Sequence, residues 1–550
     1  MKRFLFAGLI MLTVAGSGFY GAEKKPNKKA GLAAIDKAGL EAAIRTLSSD
    51  EFEGRFPASP GESRTIEYLS REFARLGALP GNGSSYIQDV PMLKIVNDRK
   101  GELAFSSGTP TAAPLALLYG EDFIGFTSQF KERVAIQDSE TVFVGFGIVA
   151  PEYGWDDYRG MDVRGKTVVM LVNDPGFYDA NLFRGKNMTY YGRWSYKFAE
   201  AGRQGAAAAI IIHETEPASY GWEVVRNSWS RPIFRLDADA GADNAGKCEM
   251  EAWITLPAAQ RLFSAAGRDL DLLRKAALAK GFAPQVLPLR MSITFGNTLS
   301  RAVSHNVIAR VQGSDRADEC LIYNAHWDHF GMDDQLSGDK IYNGAMDNAS
   351  GTAALIELAA AFARLGAPPR RSVLFIAVTG EEQGLLGSTY YVAHPVVPLA
   401  KTVAVINMDS MNIFGRMKDV QVTGYGLSDL DDYARAAAAR QGRYLTPESH
   451  PERGGFYRSD HFPFILAGIP ALNAASGVNH RQRGEVWGRQ QREAYGRKNY
   501  HKPSDEYTPD WDLSGMLEDI RLYFSIGYRL SMESTFPRFK KKSPYKDIQR

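Results

Sequence analysis

Hydrophobic positions follow three different patterns along the chain, and these patterns divide it into regions. Residues 36–110 contain apolar side chains three or four positions apart between Ile66 and Leu76, which predicts an amphipathic helix. Residues 111–290 contain short β-rich runs separated by Gly, Pro and Asp. Residues 298–535 alternate near-continuous apolar runs with helical patterns. The chain is therefore predicted to be an α/β protein with an inserted β-rich segment.

The region 298–535 predicts a mostly parallel central sheet flanked by helices. Its apolar runs are long enough for strands covered on both faces. A helical pattern, SGTAALIELAAAFARLG, separates the first two runs. In sheets of this kind, ligands bind beyond the carboxyl ends of the strands. The four predicted strands lie at 320–325, 372–378, 402–408 and 469–475.

Potential metal ligands follow these strands and meet at one edge of the predicted sheet. Carboxylates and imidazoles bind Zn²⁺ or a similar divalent ion, and a set without thiolates suits a catalytic site. So many acidic groups would repel one another unless cations offset their charge. The pattern therefore predicts a site for two divalent ions. The residues concerned are His326, Asp328, Asp347, Glu381, Glu382, Asp409 and His501.

Five motifs carry a family resemblance. HWDH, NGAMDNASG, TGEEQGLLGS, INMDSMN and YHKPSDE, in this order, resemble the two-zinc exopeptidases of peptidase family M28, which include secreted bacterial aminopeptidases and glutamate carboxypeptidases. The resemblance implies the zinc exopeptidase fold, two Zn²⁺ or other divalent ions and a peptide substrate. Asp347 would bridge the ions, His326 and Asp409 would bind one, and Glu382 and His501 would bind the other.

The resemblance also implies catalytic roles. Glu381 would be the general base, taking a proton from a water shared by the two ions and returning it to the leaving amine. In the stretch GGFYRSDHFPFILAGIPAL, Tyr457 is the candidate for an oxyanion-stabilising hydroxyl. His461 in the same stretch is either a substrate contact or a structural histidine.

Several neighbouring residues receive supporting interpretations. Asp328 and Asp505 are predicted to orient the metal-binding histidines, because ligating imidazoles usually donate their second N–H to a carboxylate or carbonyl. A plain turn role is the alternative for both aspartates. The remaining histidines are interpreted as solvated or satisfied locally, with His329 lying closest to the site. They are His329, His394, His450 and His480.

The middle region has a resemblance of its own. VRGKTVVMLVND and YKFAEAGRQGAAAAIIIHE are similar to the protease-associated domain, which implies a role in substrate access or domain packing. The stretch NLFRGKNMTYYGRWSYKF is expected either to face the active site or to form a core or surface loop. The stretch VNHRQRGEVWGRQQREAYGRKN predicts a long loop, which is either a wall of the pocket or an exposed insertion.

The termini and cysteines bear on localisation. Residues 1–22 predict a signal peptide, with MKR before an apolar core that is too short for a stable membrane span. An uncleaved anchor is the alternative, and the mature protein is expected to be periplasmic or secreted. Residues 536–550 predict a solvated basic tail. Cys248 and Cys320 lack metal-type spacing and could pair or be incidental.

Composition and the motif set together define the functional hypotheses. Lys and Arg total 65 and Asp and Glu total 63, so the net charge of +2 gives no support for a nucleic-acid partner. The leading hypothesis is a metal-dependent aminopeptidase, and the complete ligand set favours an enzyme. A carboxypeptidase, a glutaminyl-cyclase-like aminoacyl transferase and a non-catalytic receptor-like binding protein stay open. Spare arginines that could bind a terminal carboxylate are Arg453, Arg458, Arg481 and Arg483.

Overall fold

The computed structural model describes residues 25–107, 113–237, 244 and 246–550. The predicted signal peptide, residues 1–22, lies outside the described residues. No helix within the described ranges is long and apolar enough to cross a membrane.

Three helices and two strands form the N-terminal part and pack on the main α/β region. The helices begin at capping side chains, Asn27, Asp36 and Ser59, which accept hydrogen bonds from backbone N–H groups of the first turn. Gly77, with a φ of 80°, ends the predicted amphipathic helix in the left-handed conformation that glycine favours. The elements are α1 (Lys28–Ala34), α2 (Lys37–Leu47), α3 (Pro60–Leu76), β1 (Leu79–Pro80) and β2 (Ile87–Asn97).

The middle region, which the sequence predicts to be an insert, is rich in short strands. Its helices and strands are β3 (Leu103–Ser106), β4 (Leu115–Leu117), β5 (Phe123–Phe126), β6 (Arg133–Phe143), β7 (Val149–Ala150), β8 (Trp155–Asp156), β9 (Thr167–Leu171), α4 (Pro175–Tyr178), β10 (Phe183–Lys186), α5 (Trp194–Arg203), β11 (Ala208–His213), α6 (Thr215–Ala218), α7 (Trp222–Trp229), β12 (Ile233–Leu236), β13 (Met250–Thr255), α8 (Leu256–Ala265), α9 (Leu270–Ala276) and β14 (Gln285–Val311). The strands β6, β9, β11 and β13 run parallel, between antiparallel β14 and β5. Hydrophobic clusters lie on both faces of this sheet. Its identity as a protease-associated domain stays a prediction.

The long strand β14 joins the insert to the main sheet. Residues 285–296 pair with β6, residues 297–307 with β2 and residues 307–311 with the strand Arg371–Val378 of the main region. The sequence predicts a domain boundary between residues 290 and 298. In the structure these residues lie inside one continuous strand. The insert and the main region are therefore connected through shared backbone hydrogen bonds.

The main region contains the predicted parallel sheet. The strands β18, β15, β19 and β22 run parallel in that spatial order, with antiparallel β14 beside β18 and antiparallel β20 beside β22. Apolar clusters cover both faces. The elements are β15 (Arg316–His326), β16 (Gly331–Met332), β17 (Ile341–Tyr342), α10 (Ser350–Ala363), β18 (Arg371–Val378), α11 (Leu386–Ala393), β19 (Thr402–Asn407), β20 (Asp419–Thr423), α12 (Leu430–Ala439), β21 (Tyr444–Pro447), α13 (His461–Leu466), β22 (Ala471–Ser476), α14 (Gly484–Asn499) and α15 (Ser514–Met532).

Two segments differ from the sequence prediction. The Arg-rich stretch predicted as a long loop forms helix α14 for most of its length. The basic tail packs on the protein, because Phe539 and Tyr545 join an apolar cluster around Phe456 and Arg550 donates to the carbonyl of Thr402. The prediction of a solvated tail is therefore wrong, because apolar residues on either side of the tail's lysines pack against the protein.

The two cysteines do not pair with each other. Cys248 lies in the insert and Cys320 begins the buried part of β15, and both are free and buried. The alternative that they form a disulfide is therefore wrong.

Candidate metal centre

The strands that carry the predicted ligands end at one edge of the main sheet. β15 ends at His326, and Asp409 lies just beyond the end of β19. β18 ends at Val378 and leads through a turn to Glu381 and Glu382. The carboxyl ends of the parallel strands thus collect imidazole and carboxylate groups that are far apart in the sequence.

A first cluster contains His326, Asp347 and Asp409, whose ligand atoms all lie within 4.8 Å of one another. Nε2 of His326 lies 3.3 Å from Oδ1 of Asp347 and 3.6 Å from Oδ1 of Asp409. The other ring nitrogen, Nδ1, lies 3.1 Å from the backbone carbonyl of Asp328. A proton on Nδ1 would bond to that carbonyl, which leaves the Nε2 lone pair facing the carboxylates.

A second cluster contains His329, Asp347 and Glu382. Nδ1 of His329 lies 2.8 Å from Oε1 of Glu382. His501 joins this cluster, since its Nε2 lies 3.4 Å from Oδ2 of Asp347 and 3.3 Å from Oε2 of Glu382. Asp347 therefore turns one carboxylate oxygen toward each cluster, which is the arrangement that a ligand bridging two cations requires.

The side chains of both clusters fit a divalent cation. Nε2 of His326 and Nε2 of His329 are buried, and neither has a hydrogen-bond partner among the described residues. Buried polar atoms without partners cost free energy unless something else satisfies them. Imidazole nitrogens and carboxylate oxygens are the ligands of catalytic zinc. The donor set therefore matches the zinc that the sequence predicts, and it adds His329, which the sequence analysis interpreted as locally satisfied.

Two buried aspartates hold the loops that carry the ligands. Asp328 accepts hydrogen bonds from the backbone N–H groups of Glu381 at 3.1 Å and Glu382 at 3.3 Å. Asp505 accepts a hydrogen bond from the backbone N–H of Asp347 at 3.0 Å. The sequence predicted that these aspartates orient histidines; the backbone carbonyl of Asp328 does lie 3.1 Å from Nδ1 of His326, while the carboxylates of both aspartates position the backbone of the acidic ligands.

A buried arginine from the N-terminal part ties two of these loops together. Arg55 ends the 3-10 helix Asp50–Arg55, and its guanidinium donates to the backbone carbonyls of Trp327 at 2.7 Å and Gly344 at 2.9 Å. Burial lowers the pKa of Arg55 to about 10, although carboxylates of the centre favour its charge. The sequence analysis did not identify this residue.

Glu381 and Asp460 are two further acidic residues near the candidate metal ligands. Burial raises the pKa of Glu381 well above its usual range; the positive charge of His326 opposes this shift, and the charge of Asp409 adds to it. Asp460 accepts a hydrogen bond from the hydroxyl of Ser388 at 2.5 Å, while its Oδ2 has no partner within the described part of the chain. Asp460 lies in the stretch that the sequence analysis selected, but it was not singled out there.

Two tyrosines near the centre have different surroundings. The ring of Tyr457 packs against Tyr190 and Phe462, at centroid distances of 5.7 and 5.2 Å. The ring of Tyr500 stacks on His501 at 3.8 Å. Burial raises the pKa of Tyr500 well above its usual range, and carboxylates of the centre add to the shift. The tyrosine that lies beside the candidate ligands is thus Tyr500. Its position next to His501 in the sequence could have indicated this. The role of Tyr457 stays a prediction.

His461 lies inside the protein. It is 0% exposed, and its Nδ1 lies 3.3 Å from the side-chain nitrogen of Asn473. Burial lowers the pKa of His461 to about 4. Of the two alternatives for this residue, the enclosed position favours a structural histidine over a substrate contact.

The insert reaches the metal centre. The hydroxyl of Ser228, in α7, lies 3.4 Å from Nδ1 of His501, and the side chain of Asn227 donates to the His501 carbonyl at 3.3 Å. Tyr190, from the aromatic stretch that was expected either to face the active site or to form a core or surface loop, packs against Tyr457. The insert therefore contributes side chains to the same face as the catalytic motifs.

The fold is the zinc exopeptidase fold, and the candidate site contains imidazole and carboxylate groups that suit zinc. Residues 306–525 match the model of peptidase family M28. The fold agrees, since an aminopeptidase from Aneurinibacillus sp. strain AM-1 aligns with a TM-score of 0.56 at 20% identity, over 92% of this chain and 97% of that one. The predicted α/β fold class is confirmed.

Curated relatives match shorter segments. Leupeptin-inactivating enzyme 1 from Streptomyces exfoliatus is 32% identical over 215 residues, which cover 38% of this chain and 45% of that protein. Aminopeptidase NAALADL1 from Mus musculus is 33% identical over 210 residues, covering 34% of this chain and 26% of that protein. A probable glutamate carboxypeptidase, AMP1 from Arabidopsis thaliana, is 34% identical over 135 residues, or 24% and 18% of the two chains. The chain thus matches less than half the length of each of these relatives.

Proposed function

We propose that the protein is a metal-dependent aminopeptidase that removes N-terminal residues from peptides with the help of two zinc or similar divalent ions. The observation that carries this proposal is the position of Asp347, whose Oδ1 lies 3.3 Å from His326 and whose Oδ2 lies 3.4 Å from His501. One carboxylate shared by two histidine-containing clusters supports a pair of ions. The names of the matched relatives, which include aminopeptidases, support the reaction class.

The ligands divide between the two clusters. His326 and Asp409 would hold one ion, Glu382 and His501 the other, and Asp347 would contact both. His329 faces the second cluster as a further nitrogen donor. When bound, such a pair of ions lowers the pKa of a water molecule and polarises a carbonyl group.

The remaining residues supply proton transfer and orientation. Glu381 lies beside the ligand Glu382 on the turn after β18, and the Asp328 carboxylate holds the backbone of both. We assign Glu381 as the base that takes a proton from the attacking water and gives it to the leaving amine. We assign the hydroxyl of Tyr500, whose ring stacks on His501, as the donor to the substrate carbonyl oxygen as negative charge develops there.

The acidic surroundings favour an aminopeptidase. A free α-ammonium group needs carboxylates near the bond to be cleaved. Asp460 supplies one, because its Oδ2 has no partner among the described residues and its charge acts on Glu381. Export to the periplasm or the medium is part of the proposal and rests on residues 1–22 of the sequence.

The decisive experiment is hydrolysis of amino-acid p-nitroanilides and of N-blocked peptides with free C-termini, with and without chelator and added zinc. We expect release from the unblocked anilides that chelator abolishes and zinc restores, with about two metal ions per chain by elemental analysis. Cleavage of the blocked peptides alone would indicate a carboxypeptidase. One ion per chain would contradict the bridging role of Asp347.

A further inference from the structure

The end of helix α7 in the insert reaches a loop of the main region. Arg231, two residues beyond α7, is buried, and its Nη1 donates to the backbone carbonyls of Phe330 at 2.6 Å and Met332 at 3.3 Å. Its Nε donates to the carbonyl of Asn227 in α7 at 2.8 Å, and its guanidinium carbon lies 4.1 Å from the ring centroid of Tyr342. A planar guanidinium with three donors in use fixes its neighbours in direction as well as in distance. Arg231 therefore holds this loop at a fixed place on the insert.

The same turn of the insert holds His501 from outside the second cluster. The side chain of Asn227 donates to the His501 carbonyl at 3.3 Å, and the hydroxyl of Ser228 lies 3.4 Å from Nδ1 of the ring. His501 has a φ of 55°, in the left-handed region, which a residue with a side chain adopts at a cost in free energy. Contacts from the surrounding structure must offset that cost, and two of them come from the insert.

The two loops that the insert holds carry donors of the second cluster. Phe330 directly follows His329, whose Nδ1 lies 2.8 Å from Oε1 of Glu382. The ring centroid of Phe330 lies 4.6 Å from that of His501, and Nε2 of His501 lies 3.3 Å from Oε2 of Glu382. The two imidazoles of this cluster therefore lie on backbone that Arg231 and its neighbours in the insert contact.

The first cluster is oriented by contacts within the main region. Nδ1 of His326 lies 3.1 Å from the carbonyl of Asp328, and the hydroxyl of Ser459 donates to Oδ2 of Asp409 at 2.6 Å. These four residues belong to the main region, so the contacts do not depend on the position of α7. The two candidate ion sites therefore differ in how their ligands are supported.

We propose that Arg231 and Ser228 are positioning residues for the ion of the second cluster, so that the insert sets the affinity of one ion site and not of the other. This inference rests on the proposed function, which supplies the two ions, and it gives the insert a role in metal binding. Ligands that are already held in place bind an ion more tightly than ligands that must first be ordered. Removing the support from the insert should therefore weaken the second ion selectively.

The test titrates the zinc-free full chain with Zn²⁺ in competition with a chromophoric chelator. We expect the wild-type protein to bind two ions. Arg231→Met should lower the affinity for one ion by about 10- to 100-fold, as for other residues that orient ligands, and change the other by less than about twofold. Ser228→Ala, which removes a single hydroxyl, should lower the same affinity by about two- to tenfold.

Ligand variants identify the ion that is affected. In His501→Gln, which keeps the first cluster, the remaining ion should bind equally with and without Arg231→Met. In Asp409→Asn, which keeps the second cluster, adding Arg231→Met should weaken the remaining ion by about 10- to 100-fold. The reverse pattern would overturn the inference, and so would equal weakening of both ions by Arg231→Met alone.

A matched variant controls for changes in the helix itself. Arg226→Met alters an exposed arginine of α7 and should leave both affinities unchanged. If Arg231→Met does not fold, Ser228→Ala decides alone, and unchanged affinities for both ions in that variant overturn the inference.

The zinc titration is independent of the peptidase assay. Two ions in a wild-type protein that cleaves no substrate would count against the proposed reaction, while Arg231→Met would still support or overturn the role of the insert. A single ion in the wild-type protein would overturn this inference, and the anilide assay would then judge the proposed reaction on its own.

Discussion

The hydrogen bonding of buried polar groups differs between Asp174 in the insert and the histidines of the metal centre. In the insert, Asp174 accepts hydrogen bonds from the backbone of Gly176 at 3.0 Å and from the backbone and hydroxyl of Thr189 at 2.7 and 2.6 Å. In the metal centre, Nε2 of His326 and of His329 find no hydrogen-bond partner among the described residues. Both sites incur the cost of burying polar atoms; at Asp174 the protein's own hydrogen bonds offset it, and at the two histidine nitrogens they do not.

The comparison indicates which polar groups serve folding and which serve binding. A carboxylate that closes a turn, as Asp174 does, is satisfied without any ligand. A histidine nitrogen that faces carboxylates without a hydrogen bond needs a cation before it is satisfied. Substitutions at the two sites should therefore affect different measurements, namely metal content and rate in the centre and stability alone at the Asp174 turn.

The largest effect is expected at Glu381. Glu381→Gln removes the proposed base and leaves the ligands intact, so we expect the rate to fall by about 10²- to 10⁴-fold while the metal content is unchanged. Asp347→Asn is the matched change in a ligand and should lose metal together with activity. Steady-state kinetics with elemental analysis measures both, and equal metal loss in the two variants would contradict the division of roles.

A substitution at Arg55 tests whether the packing of the N-terminal part supports metal binding in the centre. Arg55→Met removes the donors that hold the carbonyls of Trp327 and Gly344, so the ligand-bearing loops lose their common support. We expect the zinc affinity to fall by about 10- to 100-fold, as for other residues that orient ligands. Competition with a chromophoric chelator measures it.

A matched arginine provides the control for that experiment. Arg64→Met removes a partly exposed ion pair with Glu53 and should leave the zinc affinity unchanged. If Arg55→Met lowered the unfolding midpoint and kept the zinc affinity of the wild type, Arg55 would support the fold and not the centre.

The sequence allowed the ligands to be predicted where the signal is local. His326, Glu382 and Asp409 each follow an apolar run, so a strand pattern is enough to bring them together. Arg55 carried no such signal, since its partner Trp327 lies 272 positions away. The contact forms only when the N-terminal part packs on the main sheet, and a single sequence does not show that packing.

Helix α14 was missed for a different reason. It has almost no apolar face, so hydrophobic periodicity could not identify it. Ion pairs one turn apart, Glu485 with Arg489 and Glu493 with Arg497, stabilise such a polar helix. The four-residue spacing of opposite charges could therefore have indicated a helix here, although the polarity of the stretch alone predicts a loop.

The smallest expected effect concerns a histidine of the insert and appears only in acid. His213 is 4% exposed, its Nε2 lies 3.0 Å from the carbonyl of Tyr220, and burial lowers its pKa from 6.5 to about 4. Between these two values the unfolded chain binds a proton that the folded protein excludes. Stability is therefore full above about pH 6.5 and falls as the pH drops toward 4, by about 2 kcal/mol at pH 5.

His213→Gln keeps a donor for the Tyr220 carbonyl but does not titrate in this range, so this part of the acid sensitivity should disappear. Urea unfolding at pH 7.5 and pH 5.0 measures it as the change in the free energy of unfolding, with the exposed His394→Gln as the control. The zinc content at pH 7.5 should match the wild type in both variants, because His213 is hydrogen-bonded to the Tyr220 carbonyl within the insert and is not one of the residues of the metal centre. An unchanged pH dependence in His213→Gln would show that His213 takes up its proton as readily in the folded protein as in the unfolded chain.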